Sequence, residues 1–259
     1  MRSSAGGMTT LQDFSQKTAL VTGAASGIGA ACARALADRG ASKLVLVDVD
    51  EAGLGALDLD CEVQLVTGSV ASPDLWNELE PQLGALDHAI VNAGIGAGGL
   101  FSELDFADWR RVMDVNLDGA FLTLATAMRA MADKGGGIVV TSSATGVKPI
   151  PATGPYGVAK AAVAHMARMA ALEGAPGGIR VNAIAPGGVD TAIWNDGPDF
   201  QRSVEAQGRE ATLKAMAATT PRGRFATADE IAGSILFLLS DAAANITGQV
   251  LVDDGGFTL

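Results

Sequence analysis

Short, wholly apolar runs alternate with longer stretches of helical period from one end of the chain to the other. "TALVTG" (18–23), "LVLVD" (44–48), "EVQLV" (62–66), "HAIVNAG" (88–94), "GIVVTSS" (137–143), "IRVNAIAPG" (179–187) and "QVLVDDGG" (249–256) read as strands. Strands apolar along their whole length are buried on both faces, which predicts a parallel sheet covered by helices. Between them lie an alanine-rich helix stopped by Gly40, a helical pattern over 109–134 and a helix opening at Pro155, a residue tolerated in the first turn. A further helix starts at "TADE" (227–230), where Thr227 and Glu230 have the spacing of a capping box. The acidic stretch 57–62 reads as a solvated helix end. Strand and helix in regular alternation predict an α/β fold: a Rossmann-like, doubly wound parallel β-sheet of about seven strands with helices on both faces. Residues 1–13 read as a disordered tail and 14–259 as one domain. Residues 192–225 break the rhythm, and a lid over about 192–220 is expected there, because structureless connections of that length usually cover a binding site.

Composition narrows the picture. Of 259 residues, 48% are hydrophobic, enough for a large core, and 33 are glycine, which implies many tight turns. The net charge of −11 argues against nucleic acid and anionic membrane as partners, since both would repel the chain. Two cysteines, Cys32 and Cys61, are too few for a disulfide scaffold and fit a reducing, cytoplasmic compartment. The first 17 residues contain no apolar core of a signal peptide, and "ILFLL" (235–239) is too short to span a bilayer. His88 and His165 lie far apart in sequence and read as structural, so no metal site is expected.

Two stretches carry candidate chemistry. "TGAASGIG" (22–29) joins the first strand to the first helix. Gly23, Gly27 and Gly29 let the backbone turn and approach a ligand, and the helix start offers free N–H groups to a pyrophosphate. The same glycines are also compatible with close helix–sheet packing. Asp48 ends the second strand, where a carboxylate can accept from both hydroxyls of an adenosine ribose and repel a 2′-phosphate; it could alternatively cap the next helix, although Asp50 and Glu51 are available for that. NAD is expected over NADP. In "GPYGVAK" (154–160), Tyr156, the chain's one tyrosine, precedes Lys160 by four residues, which places both on one helix face. A cation about 4 Å from the phenol would lower its pKa by about three units at an effective dielectric of about 20. An interfacial tyrosine beside a solvated lysine has the same spacing.

Taken together, "TGAASGIG", "VNAG" (91–94), "DVNLDGAF" (114–121), the serine strand, "YGVAK" and "PGGVDT" (186–191) resemble, in order, the motifs of the short-chain dehydrogenase/reductase family. The "PRGRF…VDDGG" ending resembles that family as well, so the likeness runs from Thr18 to Gly256. It implies that Tyr156 exchanges a proton with the substrate oxygen, that Lys160 lowers its pKa and holds the nicotinamide ribose, that Ser143 hydrogen-bonds the carbonyl, and that Asn116 holds a water relaying protons. It implies further that Gly23, Ser26, Gly27, Ile28, Gly29, Asp48, Ser69, Val70, Asn92, Ala93, Gly94, Pro186, Gly187, Val189 and Thr191 line the cofactor with Tyr156 and Lys160. Ile95, Val147, Ile150 and Trp194 would join Ser143 and Tyr156 in an apolar substrate pocket. The chain departs from the family at Ser69, often an aspartate, at Val91–Asn92, usually a pair of asparagines, and in its spans 50–61 and 71–86, which predict trimmed helices. The resemblance implies an NAD-dependent enzyme interconverting a neutral, hydrophobic or cyclic secondary alcohol and its ketone, and a homotetramer or dimer. A 3-oxoacyl-carrier-protein reductase, and a non-catalytic NAD-sensing protein, are the alternatives to that activity.

Overall fold

The computed structural model describes residues 13–195 and 198–259. Seven parallel strands form one sheet in the order β3-β2-β1-β4-β5-β6-β7. They are β1 (Thr18–Thr22), β2 (Lys43–Asp48), β3 (Glu62–Thr67), β4 (His88–Val91), β5 (Gly136–Thr141), β6 (Ile179–Pro186) and β7 (Val250–Asp253). The helices between them are α1 (Gly27–Asp38), α2 (Glu51–Gly55), α3 (Pro73–Leu83), α4 (Phe106–Met113), α5 (Gly119–Ala130), α6 (Gly154–Gly174), α7 (Pro198–Gln207), α8 (Arg209–Met216) and α9 (Ala228–Leu239).

Alternation along the strands divides the core in two. Ala19, Val21, Leu44, Leu46, Ile90, Val139 and Ile184 point to the face covered by α1 and α9. Leu20, Val45, Val47, Ala89, Val91, Ile138, Val140 and Val181 point to the face covered by α3, α5 and α6. Both faces are dry, which explains why these strands read as unbroken apolar runs. The chain winds outward in opposite directions from β1 and β4, and the crevice at their carboxyl ends is where such sheets bind ligands.

Several local expectations change. The pattern over 109–134 is not one helix: α4 gives way to a π-helical turn over Asp114–Asp118 before α5. β4, β5 and β7 stop three, two and three residues short of their predicted ends, because the chain there turns out of the sheet into site loops. Residues 57–61 are not a helix end but a non-helical approach to β3, with Leu57, Leu59 and Cys61 packed against the core. Trimming is confined to α2, of 5 residues, while α3 keeps 11. The capping box at Thr227 and Glu230 is formed with both of its hydrogen bonds, and Cys32 is fully buried. The predicted tail over 1–13 falls, apart from Asp13, outside the described residues. No helix among the described residues is long and apolar enough to cross a membrane.

Candidate active site

The nucleotide seat begins at the turn between β1 and α1. Gly23 and Gly27 hold positive φ, +66° and +52°, a region that strains L side chains. Gly29 has a steric reason: a Cβ there would stand 1.9 Å from the Gly23 carbonyl oxygen. Ser26 occupies the N-cap of α1 without a side-chain cap bond, and the first turn carries no acid. Its leading N–H groups and positive dipole end are therefore free for an anion. Ile28, in that same first turn, is half-buried against the α1/α9 core. Asp48, at the end of β2, accepts from the amides of Ala25 at 2.9 Å and Asp50 at 3.1 Å. The cap of α2 is instead Asp50, which accepts from Gly53 at 3.0 Å. The capping alternative for Asp48 is thus removed, and its carboxylate is fixed beside the glycine turn. Ser69 accepts from Ala71, and Val70 is buried below it.

Across the switch point, the Thr22 hydroxyl accepts from the amides of Asn92 and Ala93, and the Asn92 amide donates to the Thr22 carbonyl at 3.1 Å. Val91, where the family's second asparagine is absent, is buried in β4 one residue before this cross-tie, and Thr22 has no role assigned by the motif. Pro186 and Val189 are buried as β6 leaves the sheet, with Gly187 packed on Asp254. Thr191 returns to the glycine turn, where a Cβ on Gly27 would meet its methyl at 3.2 Å.

The chemical groups converge from β5, α6 and the π-helical turn. Lys160 is buried, with Nζ donating to the Thr141 carbonyl at 2.8 Å and standing 5.6 Å from the Tyr156 ring centroid. Ser142 secures the same helix by donating to the Lys160 carbonyl at 2.6 Å. Ser143 stands close enough to the Tyr156 phenol to lower its pKa, and its own oxygen accepts from the amide and hydroxyl of Thr145 at 3.2 and 3.0 Å. With those acceptor positions filled, the Ser143 proton is left for the phenol or a substrate oxygen. Thr145 is a second residue that the motifs did not signal; only an S-x-T spacing hints at it. Asn116 lies in the π-helical turn and grips the loop after β4, accepting from the Ile95 amide at 2.8 Å and donating to its carbonyl at 2.9 Å. Gly94 completes the group: a Cβ on it would stand 3.2 Å from Asn116 Oδ1 and 3.3 Å from Lys160 Nζ.

Electrostatics here differ from the sequence expectation. Burial raises the Tyr156 phenol above its ordinary range, opposed by the Ser143 hydrogen bond, and burial pushes Lys160 down to about 8. The cation faces the ring and the Thr141 carbonyl, so loss of solvent outweighs it at the hydroxyl.

A family model described as enoyl-(acyl carrier protein) reductase matches residues 23–258. A cis-4-hydroxycyclohexanecarboxylate dehydrogenase from Sinomonas cyclohexanicum is 40% identical over 95% of this chain and 98% of its own. A solved short-chain type dehydrogenase/reductase from Mycobacterium marinum superposes with a TM-score of 0.83 at 32% identity, over 96% of this chain and 98% of that one. The chain belongs to the short-chain dehydrogenase/reductase family. As a short-chain dehydrogenase/reductase it is an oxidoreductase acting on CH–OH groups with a nicotinamide cofactor. A cyclohexanol dehydrogenase from an Acinetobacter species is 35% identical over 95% of this chain and 96% of its own. Levodione reductase superposes with a TM-score of 0.86 at 32% identity, over 95% of this chain and 98% of that one.

On the substrate side of this short-chain dehydrogenase/reductase, Ile95 and Ile150 are half-buried and Val147 is exposed. Trp194 has a further engagement: its indole donates to the Val189 carbonyl at 2.7 Å and stacks on Phe225 at 5.5 Å. Its neighbour Ile193 reaches the loop after β4, where a Cβ on Gly96 would meet Ile193 Cγ1 at 3.4 Å.

Proposed function

We propose that the protein is an NAD-dependent dehydrogenase that interconverts a neutral, apolar, cyclic secondary alcohol and its ketone in the cytoplasm. The observation that carries this reading is the convergence of Ser143, Tyr156 and buried Lys160, held on the Thr141 carbonyl, at the same carboxyl end of the sheet as the free N-terminus of α1. The glycine turn fits a dinucleotide: two residues of positive φ, an uncapped helix start and a fixed carboxylate at Asp48. Gly23, Gly27 and Gly29 would let the pyrophosphate approach, Asp48 would hold the adenosine ribose, Asn92, Ala93 and Gly94 would line the cofactor, and Pro186, Gly187, Val189 and Thr191 would border the nicotinamide. The carboxylate of Asp48 followed by apolar Val49 favours NAD over a nucleotide with a 2′-phosphate. When bound, that cofactor accepts or supplies the hydride.

The chain's own groups handle the proton. In alcohol oxidation the Tyr156 oxygen takes the hydroxyl proton; in ketone reduction its O–H returns one to the oxygen. Ser143, oriented by Thr145, donates to the same oxygen and stabilises charge developing there. Lys160, buried on the Thr141 carbonyl, and Asn116, clamped to Ile95, border the space left by Gly94, through which a proton relay could run. The apolar side chains of Ile95, Val147, Ile150 and Trp194 support a neutral substrate, and the hydroxycyclohexanecarboxylate and cyclohexanol named for two relatives support a ring bearing the alcohol. A lid over 192–220 and a homo-oligomer, tetramer or dimer, belong to the same reading.

The test is nicotinamide reduction over a panel of cyclic secondary alcohols, with NAD and NADP in parallel and Tyr156→Phe as control. Turnover with NAD that drops about 10²–10⁴-fold in the variant is expected. Preference for NADP would overturn the role of Asp48 and favour a carrier-protein reductase. Binding of NAD with no turnover would favour the sensor.

A further inference from the structure

Arg209 opens α8 directly after Gly208, whose φ is +84°. Its guanidinium reaches back to the strip of chain that leaves β6. One terminal nitrogen donates to Asp190 Oδ1 at 2.6 Å and to the Thr191 carbonyl at 3.2 Å; the other donates to Asn195 Oδ1 at 2.9 Å. The plane stands 5.3 Å from the Phe200 ring centroid. A single half-exposed ion pair is worth little, but a fork that holds three acceptors at once and rests on a ring is a positional constraint. The acceptors lie 14, 18 and 19 residues before it, so this one side chain ties the start of α8 to the whole run Asp190–Asn195.

The location of that run gives the tie a consequence. Thr191, whose carbonyl Arg209 holds, presses its methyl against the Gly27 turn, a few tenths of an ångström closer than an added Cβ would tolerate. Trp194, which also leans on the Phe200 ring at 6.5 Å, secures the same strip through the Val189 carbonyl and the Phe225 ring, which fills the space beside side-chain-less Gly188. The aromatic anchor is insensitive to salt, whereas the ionic one is open to solvent and screened by it.

We propose that Arg209 is a positioning residue for the nicotinamide nucleotide: it holds Asp190–Asn195 against the glycine turn and thereby sets how slowly the nucleotide leaves. The proposal rests on the reading of the glycine turn as a nicotinamide-nucleotide seat. It assigns Arg209 no contact with the reacting atoms.

The experiment is stopped-flow release of NADH from the full-length protein at low and high salt, with steady-state constants for the wild type, Arg209→Met and Arg209→Lys. Arg209→Met is expected to raise the release rate and the nucleotide KM about ten-fold, the value of one charge-assisted hydrogen bond, with a smaller effect on kcat. Salt is expected to accelerate release from the wild type and to do so far less in that variant, and Arg209→Lys, which keeps the pairing with Asp190 but not the fork, is expected to fall between. Release and nucleotide KM within two-fold of wild type in Arg209→Met would overturn the proposal, as would a loss confined to melting temperature. If Arg209→Met does not fold, Asp190→Asn removes the ion pair with an isosteric side chain. It is expected to release NADH faster and with weaker salt dependence, and wild-type behaviour overturns the proposal. A wild type that binds neither NADH nor NADPH overturns the cofactor reading instead. Amide hydrogen exchange over 190–195 then decides the tie by itself: faster in Arg209→Met supports it, and unchanged sinks it.

Discussion

At the scale of single residues, Tyr156 shows both the reach and the limit of spacing arguments. An i, i+4 pair does bring phenol and ammonium to one helix face, yet the sign of the phenol's shift depends on what else surrounds it. Burial raises Tyr156, and Lys160 itself is lowered by the same dry surroundings. Neither neighbour that shapes the site, Thr145 behind Ser143 or the Thr141 carbonyl under Lys160, follows from a motif. His88, expected to be structural, is buried edge-on to Phe14 at 5.2 Å with its Nδ1 unpartnered. Burial pushes its pKa down to about 4, against about 6.5 in an unfolded chain. The folded protein therefore keeps a neutral ring where the unfolded chain takes up a proton. Stability is lost as pH falls from 6.5 towards 4, by about 3 kcal/mol at the acid end of that window. Thermal melts at pH 7 and pH 5 should show a larger drop for the wild type than for His88→Leu; equal drops would refute this origin of acid lability.

At the scale of elements, local signals served where a partner is close in sequence. The capping box of α9 was legible because Thr227 and Glu230 are one turn apart. Its other end was not. The last turn of α9 has no basic residue, and its carbonyls are met instead by Arg180 of β6. That guanidinium donates to Leu238 and Leu239 at 2.8 Å each, and to Ser240 and Ile246 at 3.2 Å. It supplies both hydrogen bonds and a positive charge at a helix C-terminus. Arg180→Met should cost about 2–3 kcal/mol, read from the urea midpoint at unchanged m-value. The turn over Asp114–Asp118 was likewise hidden inside a continuous helical pattern. A π-helical turn adds a residue without breaking the apolar stripe, and π-turns recur at functional sites. Here it carries Asn116, and Arg110 pairs with Asp114 and Asp118 at its two ends.

Across the whole molecule, α6 divides its apolar residues between two surroundings. Val163, Ala164, Ala167, Ala170 and Ala171 face the protein's own core, whereas Met169 and Leu172 are 52% and 80% exposed. Phe121 on α5 is 55% exposed as well. Under the homo-oligomer reading, light scattering should give a mass of two or four chains, and Phe121→Glu with Leu172→Glu should shift it towards one. A wild-type monomer at assay concentrations would end that reading. The existence of seven strands, their burial on two faces, the parallel α/β class and the residue types at the glycine turn are all legible in the chain's local pattern. Those features are set by periodicity and by the conformational freedom of glycine, which act within a few residues. Packing alone selects which distant groups meet: Asp48 with Ala25, Asn116 with Ile95, Arg180 with the end of α9, Arg209 with Asp190. Only it decided the direction in which Tyr156 is shifted. Desolvation and hydrogen bonds across a crossover depend on how elements pack, and no local pattern encodes that packing.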